Sequence, residues 1–242
     1  MKKNINPYKD SELGKKEQVA QMFNNISENY DGLNRVISLG LDTGWRKNVL
    51  NIVANTKPTT ILDIATGTGD LAILLSESSA TKIIGLDISE GMLAVGRKKV
   101  SDKKLEDKIE LVLGDSENIP YPDNYFDAIT VSYGIRNFEN LEKGLTEILR
   151  VLKPNGIFVI LETSVPVTFP FKQGYNLYTN NILPLIGKVF SKDKVAYSYL
   201  SESAQNFPYG QALVNILTQI GFKNALAKPQ TFGVATIYSS SK

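Results

Sequence analysis

Between residues 58 and 164, short and mainly apolar runs alternate with stretches of helical period, a pattern that few folds accept. The strand-like runs are "TTILDIA", Lys82–Ile88, Ile109–Asp115, Tyr125–Tyr133 and Gly156–Ser164. Leu71–Ser78 and Glu90–Val100 read as helices. Leu141, Leu145, Ile148, Leu149 and Leu152 mark an amphipathic helix closed by "KPNG". Apolar strands joined by helices imply a sheet covered on both faces. The expectation is therefore an α/β chain with a doubly wound, mostly parallel, Rossmann-like sheet. Near the end, Ala212, Leu213, Ile216, Leu217 and Ile220 give a helix stopped by Gly221. "KNALAKP" and "GVATIYSSS" then supply a hairpin-like pair, which brings the sheet to seven strands.

The flanking segments have other patterns. Residues 1–14 look like a mobile tail. Val19, Met22, Phe23, Ile26 and Tyr30 fall at helical spacing, and Trp45, Val49, Ile52 and Val53 mark a second helix. Residues 165–208 break the strand–helix alternation. They hold Tyr175, Tyr178, Ile182, Leu185, Ile186, Val189 and Phe190, interrupted by Pro184, and read as an inserted helical lid. One domain spans 1–242: tail and helical cap over 1–57, nucleotide-binding core over 58–164, lid over 165–208, final helix and strand pair over 209–242.

Composition excludes several chemistries. With no cysteine and no histidine, disulfides, thiolate nucleophiles and a Ser-His-Asp triad are ruled out, and neither zinc nor haem ligation is expected. A formal net charge of +2 gives no strong field for nucleic acid, so no such partner is expected. The polar N-terminus is not a signal peptide, and no apolar stretch approaches the roughly 20 residues of a membrane span. These features fit a cytoplasmic protein.

The chemistry-bearing motif is "DIATGTGDLA", Asp63–Ala72. Gly67, Gly69 and Ala72 match the G-x-G-x-x-G/A turn that holds a dinucleotide between a strand and a helix. Asp87 ends the second strand, where a carboxylate accepts from ribose hydroxyls. On these residues alone a nicotinamide enzyme and an S-adenosylmethionine enzyme are hard to separate. Asp63 tilts the choice, because a carboxylate so close would repel a pyrophosphate yet suits an ammonium group. Asp115 puts a second acid at the carboxyl edge of the sheet, near an adenine. A nicotinamide reductase would also need a Tyr-x-x-x-Lys or similar hydride site, and "YGIRN" has no lysine four residues after Tyr133.

"LDIATGTGD", "GLDIS", "GDSENIPYPDNYFDAITVSYGIRNF" and "EILRVLKPNG", with the leader "MFNNISENYDGLNRVISLGLDTGWRK", resemble the S-adenosylmethionine-dependent C-methyltransferases of menaquinone and ubiquinone biosynthesis. The resemblance covers about residues 15–240. The glycine turn is shared by many methyltransferases; the leader together with "SYGIRNF" is far more specific. The chain departs from the pattern at its end, where "VATIYSSSK" replaces a His-Arg-Gly-Tyr-like stretch.

The resemblance implies a class I methyltransferase fold, S-adenosylmethionine as methyl donor without a metal, and a polyprenyl quinol as acceptor. It implies that Thr68, Asp87, Asp115, Ser116 and Ser132 line the donor site, with backbone N–H groups of Gly67–Gly69 facing the donor's carboxylate and Asp63 its ammonium. Arg136 is the candidate catalytic residue, stabilising a phenolate and orienting a water. A salt bridge, with Glu162 as its natural partner, is the competing reading. Tyr30, Asp31, Asn34 and Arg35 read either as a cap over the acceptor pocket or as solvated helix ends. Tyr175 and Tyr178 read first as core residues and second as apolar contacts for a prenyl tail. Asp70 reads as a first-turn cap with no ligand role. A peripheral contact with the membrane surface and a homodimer stay open. C-methylation of a benzoquinol in ubiquinone biosynthesis, methylation of another small phenol or amine, and a non-catalytic donor-binding subunit are the alternatives.

Overall fold

The computed structural model describes residues 5–8, 10–182 and 194–242. Seven strands are present among them: β1 Thr60–Ile64, β2 Lys82–Asp87, β3 Ile109–Leu113, β4 Phe126–Ser132, β5 Leu152–Thr163, β6 Lys223–Gln230 and β7 Ala235–Ser241. They form one sheet in the order β3-β2-β1-β4-β5-β7-β6. β1 to β5 are parallel, and β7 runs antiparallel to both β5 and β6. Chain order reverses between β1 and β4. That crevice, at the carboxyl ends of the strands, is where open α/β sheets bind ligands.

Burial on both faces explains the apolar runs. Successive residues of β1, Ile61 and Leu62, belong to different core clusters, as do Ile83 and Ile84 of β2. One face carries α6, Leu141–Val151, and the helix Gln211–Ile220. The other carries α3, Leu41–Ala54, with α4, Asp70–Leu75, and α5, Glu90–Asp102. The helix expected to be closed by "KPNG" already ends at Val151, and "KPNG" itself falls inside β5. Phe126 pairs with Leu152 and Ala128 with Ile157, so residues 153–156 bulge within β5, with Asn155 at φ 63°.

The N-terminal region differs from the expectation in two ways. The first helical stretch breaks: α1 spans Lys15–Ile26, a 3₁₀ turn covers Ser27–Asn29, and α2 spans Tyr30–Ile37. The described part of the tail is also docked. Gln18, fully buried, accepts from Tyr8 N at 2.8 Å and donates to Leu13 O at 2.6 Å. Lys15 Nζ donates to Phe138 O at 2.8 Å. One polar side chain thus satisfies backbone groups that an undocked tail would leave to water.

After β5 come α7, Phe171–Leu177, a π-helical turn over Tyr178–Ile182, and the helix Lys194–Asn206. Pro184, Leu185, Ile186, Val189 and Phe190, and the side chain of Ile182, lie outside what is described. The divergent "VATIYSSS" still forms β7, whose Ile237 and Tyr238 are buried.

Candidate active site

Two cavities meet at the carboxyl edge of the sheet. The first encloses about 700 Å³, its open mouth included, and is lined by Gly67 of the glycine turn, Asp87 of β2, Asp115 and Ser116 after β3, and Ser132 of β4. Lys16, Val19 and Phe23 of α1 roof it. The second is larger, about 2710 Å³ on the same measure. Its walls include Tyr30, Trp45, Arg46, Arg136, Tyr175, Tyr178 and Phe232. Tyr30 and Tyr133 line both.

The first cavity is shaped by backbone. Ala65, Gly67 and Gly69 all have φ between 50° and 77°, so the chain reverses sharply after β1. Gly134 passes so close that an added Cβ would lie 2.3 Å from Ala65 Cβ. Asp87 Oδ2 accepts from Gly67 N at 2.7 Å, and Oδ1 from Ser89 N at 2.8 Å. Burial raises the Asp87 carboxyl above its ordinary value, against these backbone donors. The N-cap of α5 is Ser89, whose side chain accepts from Met92 N, so Asp87 is left for another task. Asp115 Oδ1 accepts from Glu117 N at 2.8 Å, and its Oδ2 pairs with Lys16 Nζ at 2.6 Å. Ser132 Oγ is buried with no partner among the described residues.

Other expected donor-site residues face elsewhere. Asp63 is 1% exposed and accepts from the hydroxyls of Thr66 and Thr130, both at 2.6 Å. It braces β1 against β4 instead of lining the cleft, and burial pushes its carboxyl up to about 6. Thr68 turns its hydroxyl away, donating to Asp31 Oδ1 at 2.6 Å and accepting from Lys99 Nζ at 3.1 Å. The Gly67 N–H is engaged by Asp87, and Gly69 N donates to Thr66 O at 3.0 Å. Gly69 packs near Leu111 and Gly96, outside the cleft lining. Asp70 is paired with Lys99 and, at 3.4 Å, with Arg46.

The second cavity is built from side chains. Arg136 follows β4 in a short 3₁₀ turn, Ile135–Asn137. Its Nη1 donates to Glu162 Oε1, so the expected salt bridge is present. Arg136 also lines the cavity, so the pairing and the cavity-facing reading coexist. Burial, the largest influence, would lower the Arg136 value, but the Glu162 carboxylate together with nearby Tyr30 and Tyr199 outweighs it and keeps the guanidinium charged. Tyr133 sits at φ 58°, unusual for a bulky residue, and its buried hydroxyl has no partner among the described residues. Burial raises its value well above the tyrosine range, so it stays protonated. Arg46 lies 5.9 Å from the Tyr133 ring centroid and pairs with Asp42 at 2.6 Å. Tyr178 donates to Ile37 O at 2.8 Å, which ties α7's end to α2. Tyr175 and Tyr178 are therefore wall residues, not core.

Sequence reasoning missed Lys16, Asp42 and Arg46, and reached Tyr133 only as a fallback to Arg136. The i,i+4 spacing of Asp42 and Arg46 was a readable signal; nothing local in the sequence points to Lys16. Among the described residues, no group of three or more His, Cys, Asp or Glu is placed to hold a metal ion.

Residues 11–242 match the profile of the ubiE/COQ5 methyltransferase family. The chain belongs to this family. It is similar to a demethylmenaquinone methyltransferase of Bacteroides fragilis, 47% identical over 98% of this chain and 97% of that one. The corresponding protein of Porphyromonas gingivalis is 41% identical over 98% of both chains. A ubiquinone/menaquinone biosynthesis C-methyltransferase of Geobacter sulfurreducens is 40% identical, over 98% of this chain and 93% of that one. Among solved structures, a putative S-adenosylmethionine-dependent methyltransferase of Methanococcus maripaludis superposes with a TM-score of 0.65, covering 91% and 94% of the two chains at 23% identity. The [4+2]-cyclase SpnF reaches 0.66 at 17% identity, covering 94% and 96%. Likeness at that distance speaks for fold alone. Family and fold together make the chain a class I, S-adenosylmethionine-dependent methyltransferase.

Proposed function

We propose that the protein methylates a ring carbon of a polyprenyl quinol, demethylmenaquinol foremost, in menaquinone biosynthesis. The observation that carries this is the near full-length, 47% identity to a relative of that name. The paired cavities support it, since each suits one of two very different substrates. The Geobacter relative's broader name supports a benzoquinol as second acceptor.

The donor cleft fits S-adenosylmethionine. Asp87 offers a buried carboxylate at the end of β2 for ribose hydroxyls, Asp115 an acceptor for an adenine amino group, and Ser132 a buried hydroxyl with no partner among the described residues. When bound, the donor supplies an electrophilic methyl group on a sulfonium. Because the Gly67 and Gly69 amides already have acceptors, Asp87 must share its oxygens between the turn and the ribose.

The chain's own residues do the rest. A quinol ring carbon turns nucleophilic when the adjacent hydroxyl loses its proton. Arg136 stabilises the resulting phenolate and orients a water to receive the proton. Tyr30 and Tyr133 form the boundary across which methyl and carbon must approach to about 3–3.5 Å. The cap and the helices after β5 exclude water, which strengthens the Arg136 field. Tyr175, Tyr178 and Trp45 give a prenyl tail an apolar wall.

The mouth of the acceptor cavity suits a membrane-borne substrate. Leu39, Leu41, Phe171 and Phe232 line it and are exposed. Phe169 and Leu177, also exposed, adjoin the lining residues Pro170 and Tyr178. No helix among the described residues is long and apolar enough to cross a membrane. Contact is therefore proposed as peripheral, through this apolar rim.

The deciding experiment incubates the protein with methyl-labelled S-adenosylmethionine and either reduced demethylmenaquinone or its benzoquinol counterpart, followed by mass analysis. A labelled methyl on the naphthoquinol ring is expected. Label on neither ring overturns the reading. Sedimentation with phospholipid vesicles tests the rim, and Phe169→Asp, outside the cavity lining, should weaken pelleting while leaving turnover on a tailless quinol intact.

A further inference from the structure

Of the five buried side-chain polar atoms without a partner among the described residues, four lie at the carboxyl ends of β4 and β5: Ser132 Oγ, Tyr133 OH, Arg136 Nε and Glu162 Oε2. A sheet interior rarely holds such a cluster, because each orphan costs free energy. Glu162 is the most anomalous member. It follows directly on the apolar run Ile157–Leu161 of β5 and is 1% exposed. Its Oε1 accepts from Arg136 Nη1, from Thr163 N at 2.8 Å and from Thr163 Oγ1 at 3.1 Å, while Oε2 accepts from nothing. An ion pair that served only to hold the fold would be expected to use the guanidinium fork in full, with both carboxylate oxygens. This pair uses one nitrogen and one oxygen. Glu162 does not line the acceptor cavity; Arg136 does.

We infer that Glu162 is the positioning residue of the methyl transfer: it fixes the Arg136 guanidinium against the acceptor cavity and neutralises its charge until a phenolate forms. The inference rests on the quinol methyltransferase reading. Burying one charge of a pair is costly unless the other stays, so Arg136 is held in place by the carboxylate behind it. Its remaining N–H groups are left for an oxygen in front. The surroundings set the field in which this happens. Tyr30 from α2, Tyr133 just after β4, Tyr175 from α7 and Tyr199 lie within electrostatic reach of the pair, Tyr238 of β7 within reach of Glu162, and Asp42 and Arg46 from α3 within reach of Tyr133. Asp42 is already paired with Arg46, so Glu162 is the carboxylate that balances Arg136.

Removing the Glu162 charge should misplace Arg136 and also leave it uncompensated. The first effect lowers kcat; the second stabilises a nearby anion in the ground state and lowers the pH at which a bound phenol ionises. For Glu162→Gln the expected results are a kcat about ten- to a hundredfold lower per folded molecule and an acid limb of the kcat profile moved down by about one pH unit. The dissociation constant for S-adenosylmethionine should be unchanged. In Arg136→Met/Glu162→Gln the loss should match that of Arg136→Met, because the second residue acts through the first. A readout without turnover is the visible titration of a bound hydroxynaphthoquinone, whose anion should form at lower pH on Glu162→Gln than on wild type. Glu162→Asp covers the case in which Glu162→Gln does not fold: it keeps the charge but withdraws the carboxylate by one methylene, and should lose turnover without shifting that titration. Losses that multiply in the double variant overturn the inference. So do a full kcat in Glu162→Asp, or an unmoved titration in a folded Glu162→Gln. Failure of the wild type to methylate any quinol, with the probe titration still shifted, overturns the substrate reading instead.

Discussion

The donor cleft and the acceptor cavity share two tyrosines and differ in almost everything else. The first is made of strand ends and a turn, with backbone groups held by Asp87 and a close pass of Gly134 over Ala65. Its shape follows from the sheet. The second is made of side chains from α2, α3, α7 and the helix Lys194–Asn206, gathered over one short turn that carries Arg136. The difference teaches where substitutions should act. Changes in the cleft should move the donor's affinity, and changes in the cavity should move turnover or the acceptor's KM.

Arg136→Met should give the largest effect and tests the comparison most severely. Loss of a comparable oxyanion donor costs about 10²–10³ in rate. It also leaves Glu162 buried without its partner, so the melting temperature should fall as well. Single-turnover rates per folded molecule, beside calorimetry with S-adenosylmethionine, separate the two. A rate near wild type in the folded fraction would reduce Arg136 to a structural role. A weakened donor affinity would erase the division between the cavities.

Next in size is a pH effect confined to the cleft's foundation. Burial raises the Asp63 carboxyl from 3.8 to about 6. A carboxyl raised on folding binds its proton more tightly when folded. Its contribution is therefore complete below about pH 4 and is lost as pH rises through about 6. At 1.36 kcal/mol per pKa unit the loss is on the order of 2–3 kcal/mol. Asp63→Asn keeps hydrogen bonds to Thr66 and Thr130, whose hydroxyls can turn to suit an amide, and should escape it. Urea unfolding of both proteins from pH 4 to pH 8 should show curves that diverge across this window. Parallel curves would mean the carboxyl titrates normally.

Asp87→Ala should weaken donor binding by about 1.5–3 kcal/mol, the worth of hydrogen bonds to a charged acceptor, or roughly tenfold to a few hundredfold. It also frees Gly67 N, so part of the loss is the turn's own order. Titration calorimetry reads the total; an unchanged Kd takes Asp87 out of the site. The smallest effect belongs to Tyr175→Ala. One aromatic contact with a prenyl tail is worth about 1 kcal/mol, which should raise KM several-fold for a long-tailed quinol and leave a tailless one alone. Tyr178 is a poorer probe, because its hydroxyl also ties α7's end to α2. Equal changes for both acceptors would mean that this wall does not read the tail.

The same contrast governs what could be read from the chain. Strand ends, and with them Asp87, Asp115, Ser116 and Ser132, were legible because period and turn chemistry are local. Arg136 and its Glu162 partner were legible because both stand at strand ends of one sheet. Long-range packing was not. Thr68 belongs to the glycine turn in sequence, yet its hydroxyl answers Asp31 from 37 residues away. Lys16 reaches Asp115 across 99 residues. The tail's docking depends on one buried glutamine that no pattern singles out. Asp63 looked like a ligand because sequence shows proximity along the chain, whereas burial under Thr66 and Thr130 turns it inward.

Tyr30 forms part of both cavities, and its neighbour Asp31 is fastened to Thr68 and, at 2.8 Å, to Lys99. Lys99 is in turn bound to Asp70 at the start of α4. The wall between the chambers is thus anchored to the turn on which the donor rests. A displacement of α2 that admits an acceptor is felt at that turn, and by thermodynamic reciprocity the donor alters the acceptor's affinity by the same factor. The expected outcome is heterotropic coupling: S-adenosylmethionine should change the dissociation constant of a quinol, as read by titration calorimetry. The sign of the coupling is set by whether Asp31 keeps or releases Thr68 when both chambers are full.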